Sequence, residues 1–447
     1  MTRGSTSIDR AFDSSSRSQD EGWASPTLVA FRFVFVWFVI EFHTALLQVV
    51  PLLEPLAHWI DVAKRPFYTV IARTLLGVRI ESFSDSSGDT TYDWVRVAVN
   101  LALAAAGCGL WTAFDRRSRA YPRLADGLRT AIRFTLAATM FTYGLAKVFP
   151  LQFQLLEVPT LLRTYGESSP MGLLWVFMSA SRPYAIFAGA MELVGGLLLC
   201  FRRTQLAGAL WTAGVMTNVF FLNLCYDVPV KLFSLQLVLL AILVAAPDVP
   251  RLLRMFVWNL PVPPADLCGP YRGARSRRAL AGLKIAWLAS TLALVSFGSA
   301  RTAALLSPPE AAGTRAGTWE IGEWRRGQDA SPPTDDGRRW RFVTLVDRAE
   351  GKALMVRSGD GSGKTWRFED HGDALDLFEP PAADPAAPGT AAAAGRLVLA
   401  LDDAETLRCS GEIGGERIEF VGRRRGRADF LLTSRGFHLV SEAPFNR

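Results

Sequence analysis

A few ionisable side chains stand inside the apolar runs of this 447-residue chain, where lipid or a protein interior makes a charge costly. Tyr143 and Lys147, in TYGLAKVFPLQF (Thr142 to Phe153), are four residues apart and share one helical face. Arg133 precedes Lys147 by a little under four turns and faces roughly the same way. Glu192 falls near the middle of another apolar run, followed by Gly195-Gly196, which lets a second helix approach closely. A carboxylate at that depth must be protonated, paired with a base such as Lys147 or Arg133, or solvated by a cavity. Glu41 and His43 lie in the first apolar run, and Asn218 and Asn223 in a later one. Together these groups could donate hydrogen bonds to the oxygens of a bound molecule and relay protons. Each also has a structural reading: Lys147 can snorkel to the headgroups, His43 can be a satisfied interior histidine, and the asparagines can join helices. Five cysteines are scattered with no CxxC spacing, so the sequence carries neither a metal knuckle nor a dithiol motif.

The elements that must position these residues are membrane helices. Half of the chain is hydrophobic, mean hydropathy is +0.18 and there are 13 tryptophans, which together indicate an integral membrane protein. The fold class expected is an α-helical polytopic membrane bundle of about seven transmembrane helices, followed by a small all-β barrel or sandwich. Residues 1–27 are rich in serine and charge and read as a disordered tail, and residues 28–306 as the membrane domain. Runs of spanning length begin near Leu28, Trp94, Leu128, Pro183, Gln205, Leu232 and Ala279. The net charge of +7 is not a nucleic-acid signal, because its basic residues concentrate in short loops. DRRSRAYPR (Asp115 to Arg123), Arg202-Arg203 and the group from Arg251 to Arg278 alternate as the positive-inside rule requires, which puts the N-terminus in the cytoplasm and the C-terminus outside. Leu52 to Leu76 mixes apolar and charged residues like a helix lying on the membrane surface.

The composition changes at Ser307-Pro308-Pro309, and residues 307–317 read as a linker. From Thr318 to Arg447 short runs alternate apolar and polar residues between turn formers, the pattern of an antiparallel barrel or sandwich on the extracytoplasmic side. A proline-alanine tract, Pro380 to Gly395, reads as a loop. Ser358 to Thr365 (SGDGSGKT) imitates a phosphate loop, but a strand-like WRF follows it where a phosphate site needs a helix N-terminus, so it reads as a hairpin turn.

YGLAKVFPLQF, MELVGGLLLCFRRTQLAGAL and NVFFLNLCYDVPVKLFSLQLVLLA resemble the core of the DoxX-like membrane proteins, which include the DoxD subunit of thiosulfate:quinone oxidoreductase and the methylamine-utilisation protein MauE. The resemblance covers about residues 127–248, a four-helix unit. Gly-Leu-Ala-Lys is also similar to a stretch of the vitamin K-dependent carboxylases in which a lysine acts as a base; only Lys147 matches, and that family's flanking tryptophans are absent. The terminal SRGFHLVSEAPFNR is similar to the end of the exported domain of longer DoxX-like proteins. The DoxX resemblance implies a bacterial inner-membrane protein, a quinone- or thiol-linked redox subunit working with another redox protein. In that reading the cavity opens to the periplasm and holds a quinone, Lys147 and Tyr143 donate to its oxygens, and Glu192 relays protons. Arg133, His43, Glu41, Asn218 and Asn223 line the site. The alternative is a non-catalytic membrane scaffold that presents its β-domain to a ligand or partner.

Overall fold

The computed structural model describes residues 23–436 apart from 81–82, 84–86, 263, 265–273, 307–313, 327–338, 349–350 and 380–391. Most of the N-terminal tail, most of the linker, the proline-alanine tract up to residue 391 and residues 437–447 therefore lie outside the described residues. The chain divides into two compact units, one of residues 1–153 and 182–304, the other of 154–181 and 305–447.

The first unit is a helical bundle. Its helices are α1 (Ser25–Gln48), α2 (Glu54–Leu75), α3 (Thr91–Phe114) and α4 (Pro122–Val148). After the excursion into the second unit, where α5 is Pro170–Ala180, come α6 (Arg182–Cys200), α7 (Gln205–Cys225), α8 (Lys231–Ala245), α9 (Val249–Phe256) and α10 (Ala274–Leu306). Local sequence explains several starts. Proline occupies the first turn of α1, α2 and α4, where its missing N–H costs nothing. Thr90 and Asp93 close a capping box on α3, Asp93 N–H donating to Thr90 Oγ1 and Thr90 N–H to Asp93 Oδ2. At α8 the cap comes from far away in sequence: the Asp89 carboxylate accepts from the backbone N–H groups of Lys231 (2.7 Å) and Leu232 (2.9 Å).

Six helical segments among the described residues are long and apolar enough to cross a bilayer: α1, α3, α6, α7, α8 with α9, and most of α10. The chain is a multi-pass membrane protein. The seventh expected span, α4, is not in that set. Its 27 residues would reach about 40 Å, but Arg123, Asp126, Arg129, Arg133 and Lys147 lower its apolarity. Three of its polar positions face protein: Arg133, Thr135 and Lys147 are buried beside Leu136, Met140 and Phe141.

Helix α4 packs most extensively on α6, and glycine sets how closely. A Cβ on Gly144 would come within 2.8 Å of the Gly189 carbonyl oxygen, and one on Gly189 within 2.5 Å of the Gly144 carbonyl oxygen. Gly196, two turns beyond Gly189, receives the Phe141 ring in the same way. Phe38, Phe42, Leu199, Leu237, Leu240 and Val244 complete the core around this seam.

The second unit contains a closed antiparallel barrel, which resolves the barrel-or-sandwich alternative. Its strands are β1 (Gly317–Arg326), β2 (Trp340–Arg348), β3 (Gly351–Ser358), β4 (Gly363–Asp370), β5 (Ala374–Phe378), β6 (Ala393–Leu401), β7 (Thr406–Ile413) and β8 (Glu416–Arg425). Each pairs with its neighbour in sequence, and β8 returns to β1. An eight-stranded barrel is about the size that side chains can fill. Here Trp319, Trp324, Trp340, Trp366, Phe368 and Phe420 point inward with a set of leucines, as the period-two pattern requires. Arg424 stacks on the Trp319 ring with its Cζ 4.4 Å from the centroid, and its guanidinium donates to the carbonyls of Thr314, Ala316 and Ala404. The phosphate-loop lookalike is the turn between β3 and β4.

One boundary differs from expectation. Residues 154–181, read from sequence as part of a continuous membrane domain, belong with the barrel unit. The reason is local: Glu167, in a single turn after α4, accepts from the Arg357 guanidinium on β3. That pair is invisible to a hydropathy reading because the two residues are so far apart in sequence.

Candidate functional site

Glu41 is the centre of the most connected polar group within the helical unit. It sits on α1 among phenylalanines and is buried. Arg96 Nη1 donates to its Oε1 at 2.5 Å, Gln236 Nε2 to the same oxygen at 2.9 Å, and Asn100 Nδ2 to Oε2 at 2.6 Å. Arg96 and Asn100 are four residues apart on α3 and so share a face; Gln236 comes from α8. Tyr68 of α2 donates to Asn100 Oδ1 at 2.8 Å. The carboxylate, with its three donors, ties four helices together.

A cavity of about 290 Å³ opens beside Glu41. Aromatic rings of Phe42, Phe83, Tyr92 and Phe233 contribute to its wall, next to Lys64, Arg96 and Gln236. His43 borders this region through Lys64: Lys64 Nζ lies 3.0 Å from His43 Nε2 and 2.7 Å from Asp61. The Nδ1 atom of His43 lies 2.8 Å from the Ile40 carbonyl, so Nδ1 carries the proton and Nε2 accepts from Lys64. Of the three Lys64 donors, two are thereby engaged and one is left for the cavity.

The second polar group is the pair on the glycine seam. Lys147 Nζ lies 3.0 Å from both carboxylate oxygens of Glu192, with the residues 8 % and 2 % exposed respectively. Of the two bases offered by the sequence, Lys147 is therefore the partner of Glu192. Neither residue lines the cavity. The two groups are linked through rings: Tyr143 lies 5.8 Å from Lys147 Nζ and 6.1 Å from the ring of Phe233, which is in the cavity wall.

A 139-residue match, at 30 % identity, joins this chain to an uncharacterized protein of Bacillus subtilis, YwoB; it takes in 30 % of this chain and 88 % of YwoB. The chain belongs to the YwoB family. No family model matches it, and no solved structure is significantly similar. The YwoB match thus supplies kinship without a named activity, and the chemistry has to be read from the side chains of this member.

The remaining predicted residues of this YwoB-family chain lie elsewhere. Arg133 does not join Lys147; its Nε donates to the Leu199 carbonyl and its Nη1 to Gln205 Oε1, both at 2.9 Å. Four turns along a helix amount to about 21 Å, so a shared face did not bring the two together. Asn223 is buried and donates to Ser234 on α8, pinning α7 to α8. Asn218 is exposed on α7. Arg96, Asn100, Gln236 and Tyr68 were missed as site residues. Arg96 and Asn100 did carry a signal: a polar pair at helical spacing within an apolar run.

The opposite end of the bundle is built from ion pairs. Arg202 takes both oxygens of Asp126 at 2.6 Å, and Arg129 and Arg251 share Asp248 at 2.5 and 2.6 Å. Arg32 donates to the Asp115 carbonyl and to Tyr121, whose hydroxyl donates to the Asp115 carboxylate. Hydrogen bonds from Tyr121 and Ser118 hold the Asp115 carboxyl well below the usual carboxylate range. The three basic loops and the start of α1 thus meet at one end of the bundle, as their charge alternation requires. Among the described residues, no cluster of His, Cys, Asp and Glu is arranged to hold a metal ion.

Proposed function

We propose that the helical unit is a DoxX-like quinone-binding subunit of a redox system in the bacterial inner membrane, with the Glu41 cavity as its quinone site. One observation carries this reading: aromatic rings and spare hydrogen-bond donors share the wall of a cavity of about 290 Å³. A quinone head needs a flat apolar slot and donors to its carbonyl oxygens. Phe42, Phe83, Tyr92 and Phe233 supply the slot, and Lys64 and Arg96 supply the donors. Glu41 holds Arg96 in place, and Tyr143 and the Lys147–Glu192 pair support the wall behind Phe233.

The basic end of the bundle faces the cytoplasm in this reading, so the cavity opens towards the periplasm. The chain's own connectivity supports the crossing count. Residues 154–181 and those from Leu305 onward form one unit, so the chain between them must cross an even number of times. Helices α6, α7, α8 and α10 provide four crossings.

A photoreactive quinone added to the purified protein tests the proposal. Crosslinks are expected on α1, α2 and α8, and Lys64→Met, a partly exposed change, is expected to cut them about tenfold, or about 1.4 kcal/mol. Absent labelling, or equal labelling of Lys64→Met, would overturn the quinone site. The scaffold reading draws on the filled barrel, whose side-chain core leaves the outer surface for partners. It predicts that function is lost on deletion of residues 314–447 while Lys64→Met is silent.

A further inference from the structure

Helix α2 has three sides where an ordinary surface helix has two. Its inner side is fixed by packing: Ala57, Tyr68 and Ala72 are buried, Tyr68 and Ala72 cluster with Val95 and Val99 of α3, and Lys64 meets His43 of α1. Asp61 and Lys64, on that same side, line the Glu41 cavity. At 3.6 residues per turn, Leu56, Trp59, Val62, Ala63, Phe67 and Val70 fall together on an arc of about 140° that points away from this packing. All six are exposed, Trp59 over 67 % and Val70 over 59 % of their surface. A third strip, Glu54, His58, Arg65 and Thr69, lies between the other two on one flank and is polar.

Apolar residues exposed singly need no partner, but a contiguous stripe of this length does. Crossing the bilayer would not supply it, because the charged strip and the charged inner side would enter the hydrocarbon too, and α2 is not among the apolar spans. Pro66, inside the helix, also removes the N–H that the Val62 carbonyl would otherwise receive. Hydrocarbon cannot serve that carbonyl, whereas headgroups and interfacial water can.

The helices that α2 packs on decide the partner. Both α1 and α3 are spans, and the exposed Trp94, Leu101 and Leu103 of α3 face acyl chains. The stripe of α2 thus belongs to a part of the protein already coated by lipid. An apolar stripe that contains a tryptophan, with a polar strip beside it, fits the boundary between acyl chains and headgroups. We propose that the partner of α2 is the bilayer itself: the helix lies in the interface, with Leu56, Trp59, Val62, Phe67 and Val70 on the upper acyl chains and Glu54, His58, Arg65 and Thr69 towards headgroups and water. Arg73, the one charge of α2 on the apolar arc, is in the last turn, where its long side chain reaches the headgroups. The cavity wall formed by Asp61 and Lys64 is thereby one helix away from lipid.

This placement does not depend on what fills the cavity, and its test uses the unmodified full-length protein in vesicles of phosphatidylcholine and phosphatidylglycerol. A phosphatidylcholine carrying a photoreactive diazirine near the start of one acyl chain is irradiated, and the adducts are mapped by mass spectrometry. Labelling of Trp59, Val62 and Val70 is expected to exceed that of His58 and Thr69 by about fivefold or more, and to fall by a similar factor when the diazirine sits at the chain end. Equal labelling from the chain end would mean a helix sunk into the hydrocarbon core. Labelling no stronger than that of His58 and Thr69 would mean a stripe covered by protein, such as a second copy. Either outcome overturns the proposal. Hydroxyl-radical footprinting of the same vesicles should oxidise His58 and spare Trp59; oxidation of both would overturn it as well.

Discussion

Lys147 and Glu192 are each expensive alone and tolerable together. Desolvation penalises both charges, and their mutual attraction at 3.0 Å offsets it only while both are present. Glu192→Gln or Lys147→Met should therefore each destabilise the helical unit by about 3–5 kcal/mol. The double change Lys147→Met with Glu192→Leu should cost clearly less than the sum. Unfolding in a graded denaturing detergent would measure this, and strict additivity would refute the coupling. This pairing was half legible in the sequence, since an intramembrane carboxylate demands a base. Which base answered was not, because Arg133 and Lys147 share a face and differ only in depth. Glu41 was legible as a polar residue in an apolar run, whereas its partners Arg96, Asn100 and Gln236 come from two other helices, and no local pattern links them.

At the scale of elements, the contact between α4 and α6 depends on the absence of side chains. Gly189→Val would place methyl groups where the Gly144 carbonyl now lies, forcing the helices apart and stretching the Lys147–Glu192 pair. We expect a loss of about 1–3 kcal/mol or more. Gly127→Ala and Gly214→Ala, where a Cβ meets nothing within 4 Å, should be neutral or slightly stabilising. Unfolding in the same graded detergent compares all three, and a benign Gly189→Val would contradict the close seam. The sequence displayed the Gly195-Gly196 pair but gave no sign that Gly144 and Gly189 face each other. Helix α4 fell short as an apolar span for a related reason: a helix enclosed by others need not look like one facing lipid.

Across the whole molecule, the proposed orientation puts the C-terminal unit outside the cytoplasm, and charge alternation is what supports it. An enzyme reporter active only in the periplasm, fused after Arg447, should be active; activity of a cytoplasm-only reporter at the same position would reverse the orientation. The strand-plus-helix class and the change of architecture near residue 307 were open to a reading of hydropathy and turn formers. Barrel closure and the recruitment of residues 154–181 were not, since both depend on pairings between distant segments.

The pairing of β1 with β8 governs how the protein is made. The first strand of the barrel must wait for the last, roughly a hundred residues later, before it has a second neighbour. Until residue 425 is available the sheet has two open edges and its tryptophans have no enclosed interior. The barrel therefore cannot close strand by strand as it is synthesised; it closes in one late event. A stop codon between β2 and β8 would thus leave an aggregation-prone open sheet attached to an otherwise complete set of membrane helices.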